Sequence, residues 1–258
     1  GRDFCEGSAL LDVTNCGYNV GCVEPNNYTV NTLSFCQRLR SYLESQGVRF
    51  HFSSTVADVA TEGRRVKAVV LADGSQLPAD RLVLCAGYET CYLAKRLGIS
   101  LPLAPVKAYS LHISDAPVAG RLKYATHLEA NVACLITPYK DSQPTAVRVT
   151  GIRDLDGYNE IMREDRLAAL LECARRFLGH DFDAKEAKAW AGVMAVSPDD
   201  FPVVGGVQKF DNLFVNVGHG FRGTNWSVAT AKFLSQVMAG QSETCLDPES
   251  TAPARFGV

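Results

Sequence analysis

Hydrophobic and polar positions follow two periods along the chain, and the change from one to the other marks out its elements. From about Asn27 to Gln46 the period is helical: Val30, Leu33, Cys36, Leu39 and Leu43 fall on one face, and Gln37, Arg38, Arg40 and Glu44 on the other. Asn27 or Thr29 can cap this helix and Gly47 can end it. Short strands are predicted next over 48–52, 56–60, 66–71 and 76–78, with a hairpin turn at Asp73-Gly74. The run Leu82-Val83-Leu84-Cys85-Ala86-Gly87 is continuously apolar and stops at glycine, the mark of a buried parallel strand. Residues 1–24 carry no period and read as irregular, with turns at Gly17 and Gly21.

Strands over 106–113, 122–128, 132–137 and 146–152, separated by polar turns, predict an antiparallel sheet. One helix follows over 163–178, with Leu167, Leu170, Leu171, Ala174 and Leu178 toward the core and Gly179 closing it. Extended segments at 190–196, 202–205 and 212–217 return the chain, and a last helix spans 224–239 up to Gly240. The fold class that follows is α/β (α+β). The boundaries are 1–99 for an α/β portion, 100–190 for an antiparallel sheet with one helix, and 191–258 for a return to the first portion.

The join between the last strand and the last helix is Gly218-His219-Gly220-Phe221-Arg222-Gly223. It spells G-x-G-x-x-G, the fingerprint of a pyrophosphate cradle. A cradle of that kind continues into a second strand with an acidic residue about 20 positions on. Here the helix stops at Gly240, and the tail 241–258 is polar, with Pro248 and Pro253. The motif therefore opens a final helix rather than a complete dinucleotide unit.

Composition narrows the chemistry. The 258 residues are 47% hydrophobic and 21% charged, with a net charge of −2, so a packed core is expected and a nucleic-acid partner is not. No apolar run is long enough to cross a membrane, and the first residues are too polar for a signal peptide. The nine cysteines show no C-x-x-C pair and no zinc spacing; they read as reduced thiols in an intracellular protein. There is no G-x-S-x-G, no P-loop and no metal-ligand cluster. Asp199-Asp200 reads as a solvated turn rather than a catalytic carboxylate pair.

Three segments together carry a family resemblance. They are GVRFHFSSTVADVATEGRRVKAVVLADGSQLPADRLVLCAGYET from Gly47, APVKAYSLHI from Ala104, and WAGVMAVSPDDFPVVGGVQKFDNLFVNVGHGFRGTNWSVATAKFLSQVMAG from Trp190. In this order the chain resembles the D-amino-acid oxidase/dehydrogenase superfamily of flavoproteins, nearest to the D-amino-acid dehydrogenase small subunits, over about residues 17–241. The resemblance implies part of an FAD-binding α/β domain plus an antiparallel-sheet substrate domain. The family's own N-terminal G-x-G-x-x-G unit is not in this sequence, and the chain has no initiator methionine, so a piece of a longer protein is expected.

The same resemblance assigns roles. It places Val56 at the adenine, Cys85, Ala86 and Gly87 near the ribose and pyrophosphate, and Gly218, His219, Gly220, Phe221, Arg222, Gly223 and Thr224 at the flavin ring. Tyr109 and Tyr139 are candidates for the substrate cavity, and Arg222 for a flavin oxygen or a substrate carboxylate. FAD would be non-covalent, because no cysteine lies in the C-terminal block. The activity implied is oxidation of a D-amino acid or related small amine by hydride transfer to flavin N5, with oxygen or a quinone as electron acceptor. A sarcosine- or glycine-oxidase-like secondary-amine oxidase and a non-catalytic flavoprotein chain are the alternatives. The location implied is cytoplasmic, peripheral to the inner membrane, or mitochondrial. The sequence departs from the family at Met194, where many members carry an arginine for the substrate carboxylate; Arg148, Arg153 and Arg222 are the substitutes available.

Overall fold

A computed structural model describes residues 3–6, 20–23, 30–116, 122, 125–128, 134–139, 145–179 and 182–258. The chain divides into two compact units, one formed by Gly1–Asn31 with Lys107–Val193, the other by Thr32–Val106 with Met194–Val258.

In the first unit, β1 (Asp3–Glu6) and β2 (Val20–Val23) pair antiparallel. The expectation that 1–24 is irregular is thus corrected for these residues, and Gly21, expected in a turn, lies within β2. Gly17, Asn27 and Thr29 lie outside the described residues. The unit's main sheet joins β7 (Ala104–Ile113), β8 (Thr126–Leu128), β9 (Cys134–Pro138), β10 (Val147–Asp154) and β11 (Lys188–Val196) in the order β11-β7-β10-β9-β8. β7, β10, β9 and β8 pair antiparallel with their neighbours, as the polar turns between them predicted.

α3 (Glu164–Leu178) covers one face of this sheet. Leu170, Cys173, Ala174, Phe177 and Leu178 are buried against Leu111, Ile113, Ile136, Val147 and Val149. Cys134 of β9 and Cys173 of α3 form a disulfide in this core, which corrects the expectation of reduced thiols throughout. Their 39-residue separation has no spacing signature, because a strand and a helix bring them together only once packed. A bulge at Ile152 shifts the alternation of β10 by one residue, so Asp154 rather than Arg153 turns toward the core. There Asp154 accepts from the Tyr109 hydroxyl at 3.1 Å and pairs with Arg166 at 3.0 Å.

The second unit holds α1 (Thr32–Ser45), an antiparallel sheet of β3 (Val56–Glu62), β4 (Arg65–Leu71) and β5 (Gln76–Pro78), and a three-stranded sheet in the order β12-β13-β6. β6 is Leu82–Leu84, β12 is Val203–Gly206 and β13 is Leu213–Val217. β6 and β13 are parallel, as the apolar run predicted, but β6 stops at Leu84 and Cys85, Ala86 and Gly87 leave the sheet exposed. α2 (Thr90–Arg96), α4 (Gly223–Met238) and α5 (Pro248–Thr251) complete the unit.

Gly47 ends α1 at φ +87, with the Val48 amide donating back to Leu43 C=O at 3.0 Å. The helical period there is real, yet no residue of α1 is buried. The predicted strand 48–52 is corrected to irregular chain: no partner strand takes its amides among the described residues. Instead Phe50 and Phe52 stack at 5.9 Å, with the Arg40 guanidinium 4.4 Å over Phe52.

One side chain ties this unit together. Asn212, just before β13, is buried and accepts from the Val66 amide at 2.8 Å. Its own amide donates to Val66 C=O at 2.9 Å and Asp80 C=O at 2.8 Å. Replacing it by alanine would strand three backbone groups in the interior. Asn212→Ala is expected to cost about 2–4 kcal/mol in urea or thermal unfolding, as more than one buried backbone group loses its partner.

Candidate functional site

Strand direction places the candidate residues. β6 and β13 run parallel in the register Leu82↔Leu213, Phe214↔Val83 and Leu84↔Val215, so both chains leave the sheet at the same, carboxyl edge. In α/β sheets that edge is where ligands sit, because helix N-termini and turn amides gather there. One exit is Cys85-Ala86-Gly87. Gly87 sits at φ +57 with open space where a side chain would start, and the Ala86 amide donates to Thr90 Oγ1 at 3.0 Å. The other exit is Gly218–Gly223. The structure therefore brings two of the predicted cofactor segments to one edge. Val56 is not there: it heads β3 in the neighbouring sheet, opposite Leu71.

The second turn is built closely. Gly218 has φ +78, and a Cβ on it would lie 3.0 Å from Leu103 Cδ2. Gly220 has φ +53, and a Cβ on it would lie 3.3 Å from Asp200 Oδ1. Both positions are therefore closed to side chains by backbone conformation and by crowding. His219 pairs with Val196 in a single antiparallel bridge, and its Nε2 lies 3.0 Å from Thr230 Oγ1. Burial pushes the His219 imidazole below its usual range.

Residues 220–222 make one 3-10 turn and α4 then starts at Gly223. No side chain caps α4 and no acidic residue lies in its first turn. Thr224 and Asn225 are exposed, so the positive end of the helix dipole faces outward. Phe221 is 40% exposed.

A companion loop, 197–202, braces the turn. Ser197 Oγ donates to Phe201 C=O at 2.6 Å and reaches Gly218 C=O at 3.5 Å. Arg255 grips Asp199 through Nε at 2.8 Å and also donates to Phe201 C=O at 2.9 Å, and its hydrogen bond holds the Asp199 carboxyl below the usual range. Asp200, at φ +58, pairs with Arg222 at 3.6 Å. The Asp199-Asp200 turn is exposed, as expected, and each carboxylate has an arginine partner.

Tyr109 and Tyr139 belong to the other unit. Tyr109 is 1% exposed in the sheet core with its hydroxyl on Asp154, so it lies inside the packing rather than on an open surface. Tyr139 is half-buried, its ring edge-on to His112 at 5.4 Å. Sequence reasoning missed Asn216, next to the turn on β13, whose Oδ1 is buried with no hydrogen-bond partner among the described residues. Its signal was there to read: a lone polar residue in the apolar run Leu213–Val217.

FAD is an anionic, planar, hydroxyl-bearing cofactor. Two glycine turns at one sheet edge, an uncapped helix N-terminus and an unsatisfied buried acceptor fit an anionic, planar, hydroxyl-bearing group. Among the described residues no helix is long and apolar enough to cross a membrane.

Comparison with known proteins agrees. The sequence family described as DAO, FAD dependent oxidoreductase, matches residues 4–237. A D-amino acid dehydrogenase of Methylobacterium radiotolerans is 34% identical over 220 residues, 84% of this chain and 51% of that protein. One of Vibrio vulnificus is 32% identical over 227 residues, 86% of this chain and 51% of that protein. The chain thus spans about half the length of the curated relatives it matches. Glycine oxidase from Geobacillus kaustophilus superposes with a TM-score of 0.83 at 19% identity, over 99% of this chain and 67% of that one. L-proline dehydrogenase from P. horikoshii gives 0.80 at 13%, over 99% and 68%. At those identities the superpositions establish the shared fold.

The lowered His219 pKa gives a pH dependence with a fixed sign. The unfolded imidazole protonates first, near its ordinary value of 6.5, while the folded one resists. Stability contributed by neutral His219 is present above that value and is lost as pH falls from it toward the folded pKa. Urea unfolding at pH 7.5 and 5.5 is expected to show a larger loss in the wild-type protein than in His219→Gln.

Proposed function

Because the chain belongs to the DAO family of FAD-dependent oxidoreductases, we propose that it forms the ring-binding and substrate-binding parts of an enzyme that oxidises D-amino acids or closely related small amines. The observation that carries this reading is the parallel pair β6 and β13, whose glycine turns and uncapped α4 share one sheet edge.

When bound, FAD would supply the two-electron acceptor for oxidation of the substrate amine to an imine, which water hydrolyses. The chain supplies binding and electrostatics. The free amides at the start of α4 stabilise negative charge brought to them. Gly218 and Gly220 let backbone approach where side chains would block it, and Gly87 does so at the neighbouring exit. His219, neutral at pH 7, presents a hydrogen bond to Thr230 that fixes its ring. Cys85 and Ala86 line the first exit, Phe221, Arg222, Gly223 and Thr224 the second, and Val56 belongs to the adenine side in this reading.

In this reading the unit 32–106 with 194–258 takes the cofactor, and the unit 107–193 takes the substrate. Tyr139 is the substrate-facing tyrosine; Tyr109 acts through the sheet it anchors. An amine entering in its neutral form needs no dedicated base. Binding of FAD is non-covalent, as no cysteine lies between Cys173 and Cys245. Oxygen or a quinone receives the electrons, and a quinone would place the protein at a membrane surface.

Two measurements test the proposal. The protein supplied with FAD is expected to show a flavin absorption band that a D-amino acid bleaches anaerobically and that acid precipitation releases into solution. Absence of the band, or no bleaching by any D-amino acid, would refute it; bleaching by N-methylglycine alone would support the secondary-amine alternative. Gly220→Val forces a β-branched residue to φ +53, at a cost of about 1–3 kcal/mol. It is expected to weaken FAD by about tenfold or more. Unchanged FAD affinity would show that this turn is not the cofactor site.

A further inference from the structure

Beyond α4 the chain turns back on its own unit. The Cys245 amide donates to Gln236 Oε1 at 3.0 Å, and Asp247 caps α5 by accepting from the Glu249 and Ser250 amides, both at 3.1 Å. The tail then comes to lie on β12. Gly205 of β12 has φ +141, and a Cβ on it would stand 3.3 Å from Pro253 Cδ, so the tail sits flush where the strand has no side chain. Thr251 and Pro253 are buried, and Phe256 and Val258 pack against the core that holds Val203, Val215 and Val217.

Arg255 ties this tail to loop 197–202. Its side chain is only 14% exposed, and Nε, Nη1 and Nη2 all donate. Nη1 closes the tail on itself, to Thr251 C=O at 2.7 Å and Ala252 C=O at 3.1 Å. Nε and Nη2 reach across to the two Asp199 oxygens at 2.8 and 3.2 Å, and Nη2 also to Phe201 C=O at 2.9 Å. A forked pair of this kind fixes direction as well as distance, which a lysine ammonium would not. The Phe256 ring, 4.3 Å from the guanidinium carbon, covers one face of the fork.

The loop carries that hold to the glycine turn. Ser197 Oγ reaches Gly218 C=O at 3.5 Å, and Asp200 Oδ1 stands 3.3 Å from where a Cβ of Gly220 would be. The Phe201 ring centroid lies 6.3 Å from that of Trp226, in the first turn of α4. Asp200 takes φ +58, which few residues other than glycine adopt without neighbours to hold them. Its own pair with Arg222 is exposed on both sides and so contributes little. The strongest tether on the loop is therefore Arg255. Since α4 has 16 residues and rises about 1.5 Å per residue, the tail leaves one end of the helix and returns to brace the other.

We propose that Arg255 is a positioning residue for the cofactor turn: it latches the C-terminal tail onto loop 197–202 and so holds Gly218–Gly223 in its binding conformation. This rests on the reading of that turn as part of an FAD site. Arg255 itself touches neither cofactor nor substrate; it acts through Asp199 and Phe201.

The test uses the full chain carrying Arg255→Met, Arg255→Lys or Asp199→Asn. Amide hydrogen exchange, read by mass spectrometry without cofactor, is expected to run about tenfold faster over 197–202 and 218–226 in Arg255→Met, with β3, β4 and β5 unchanged. Arg255→Lys is expected to recover part of the protection, and Asp199→Asn to lose less of it, because asparagine keeps an acceptor for the fork. FAD affinity, followed by flavin fluorescence, is expected to fall by about tenfold in Arg255→Met and to rank the variants in the same order. A role in fold stability alone would speed exchange throughout the unit, β3 to β5 included, and that result overturns the proposal. Unchanged exchange over 218–226 overturns it as well. If exchange loosens locally but Arg255→Met binds FAD as tightly as the wild-type protein, the flavoenzyme reading stands and the positioning role falls. If the wild-type protein binds no FAD while local loosening still follows Arg255, the flavoenzyme reading falls and the latch on the turn stands.

Discussion

The second unit depends on how β13 is anchored, and a single amide does much of that anchoring. Asn212 takes one hydrogen bond and gives two, joining β4, the entry to β6 and the start of β13. A buried amide with all of these partners behaves like a piece of backbone inserted between two sheets. It pins the strand at one end, and parallel pairing with β6 sets its register from there. Since a strand advances about 3.3 Å per residue, a slip of one residue would carry Gly218 and Gly220 out of the only places where their positive φ and absent side chains are useful. The site is precise because the far end of its strand is.

The turn itself stores positive charge at low cost. Arg255 and Asp199 satisfy each other beside it, and Asp200 pairs with Arg222, the residue that precedes α4. No side chain caps the helix end. A cap or a first-turn acid would have added roughly 1 kcal/mol of helix stability, which this helix forgoes. It gains stability instead by packing Phe233 and Leu234 against Val204 of β12.

Much of this was legible in the sequence, for identifiable reasons. Period, apolar runs and glycine stops located β3 to β7, α3 and α4 because those elements depend on local pattern. The glycine turn was legible for the same reason. What failed was whatever depends on partners distant in sequence. Residues 48–52 have strand composition but no strand to pair with among the described residues, and β1 with β2 had too little pattern to be seen. The period of α1 shows which side is apolar and says nothing of what covers it: Leu33 is 68% exposed. The disulfide between Cys134 and Cys173, the turning of Asp154 by the bulge at Ile152, and the burial of Tyr109 all arise from packing. Arg148 could be named as a cation from sequence, but the Ser110 hydroxyl that holds it is visible only once its neighbours are placed.

Two cations on opposite faces of one sheet make the last point. Lys107 of β7 is fully buried, yet its ammonium meets Asp156 at 2.8 Å, Asn159 at 2.7 Å and Ile161 C=O at 3.0 Å. Burial is the largest single influence and opposes its charge, but the hydrogen bond and charge of Asp156 together with the Tyr109 oxygen outweigh it and lift its pKa above the ordinary value. All three donors are used, so Lys107 fastens the segment 156–161 to the sheet and has nothing left to bind with. Arg148, less buried, is held by a hydroxyl and a ring, neither of which carries charge. The desolvation that each ion suffers must be offset by something, and for Lys107 the protein provides it internally. For Arg148 the described residues provide the Ser110 hydroxyl and the Trp190 ring, which orient it.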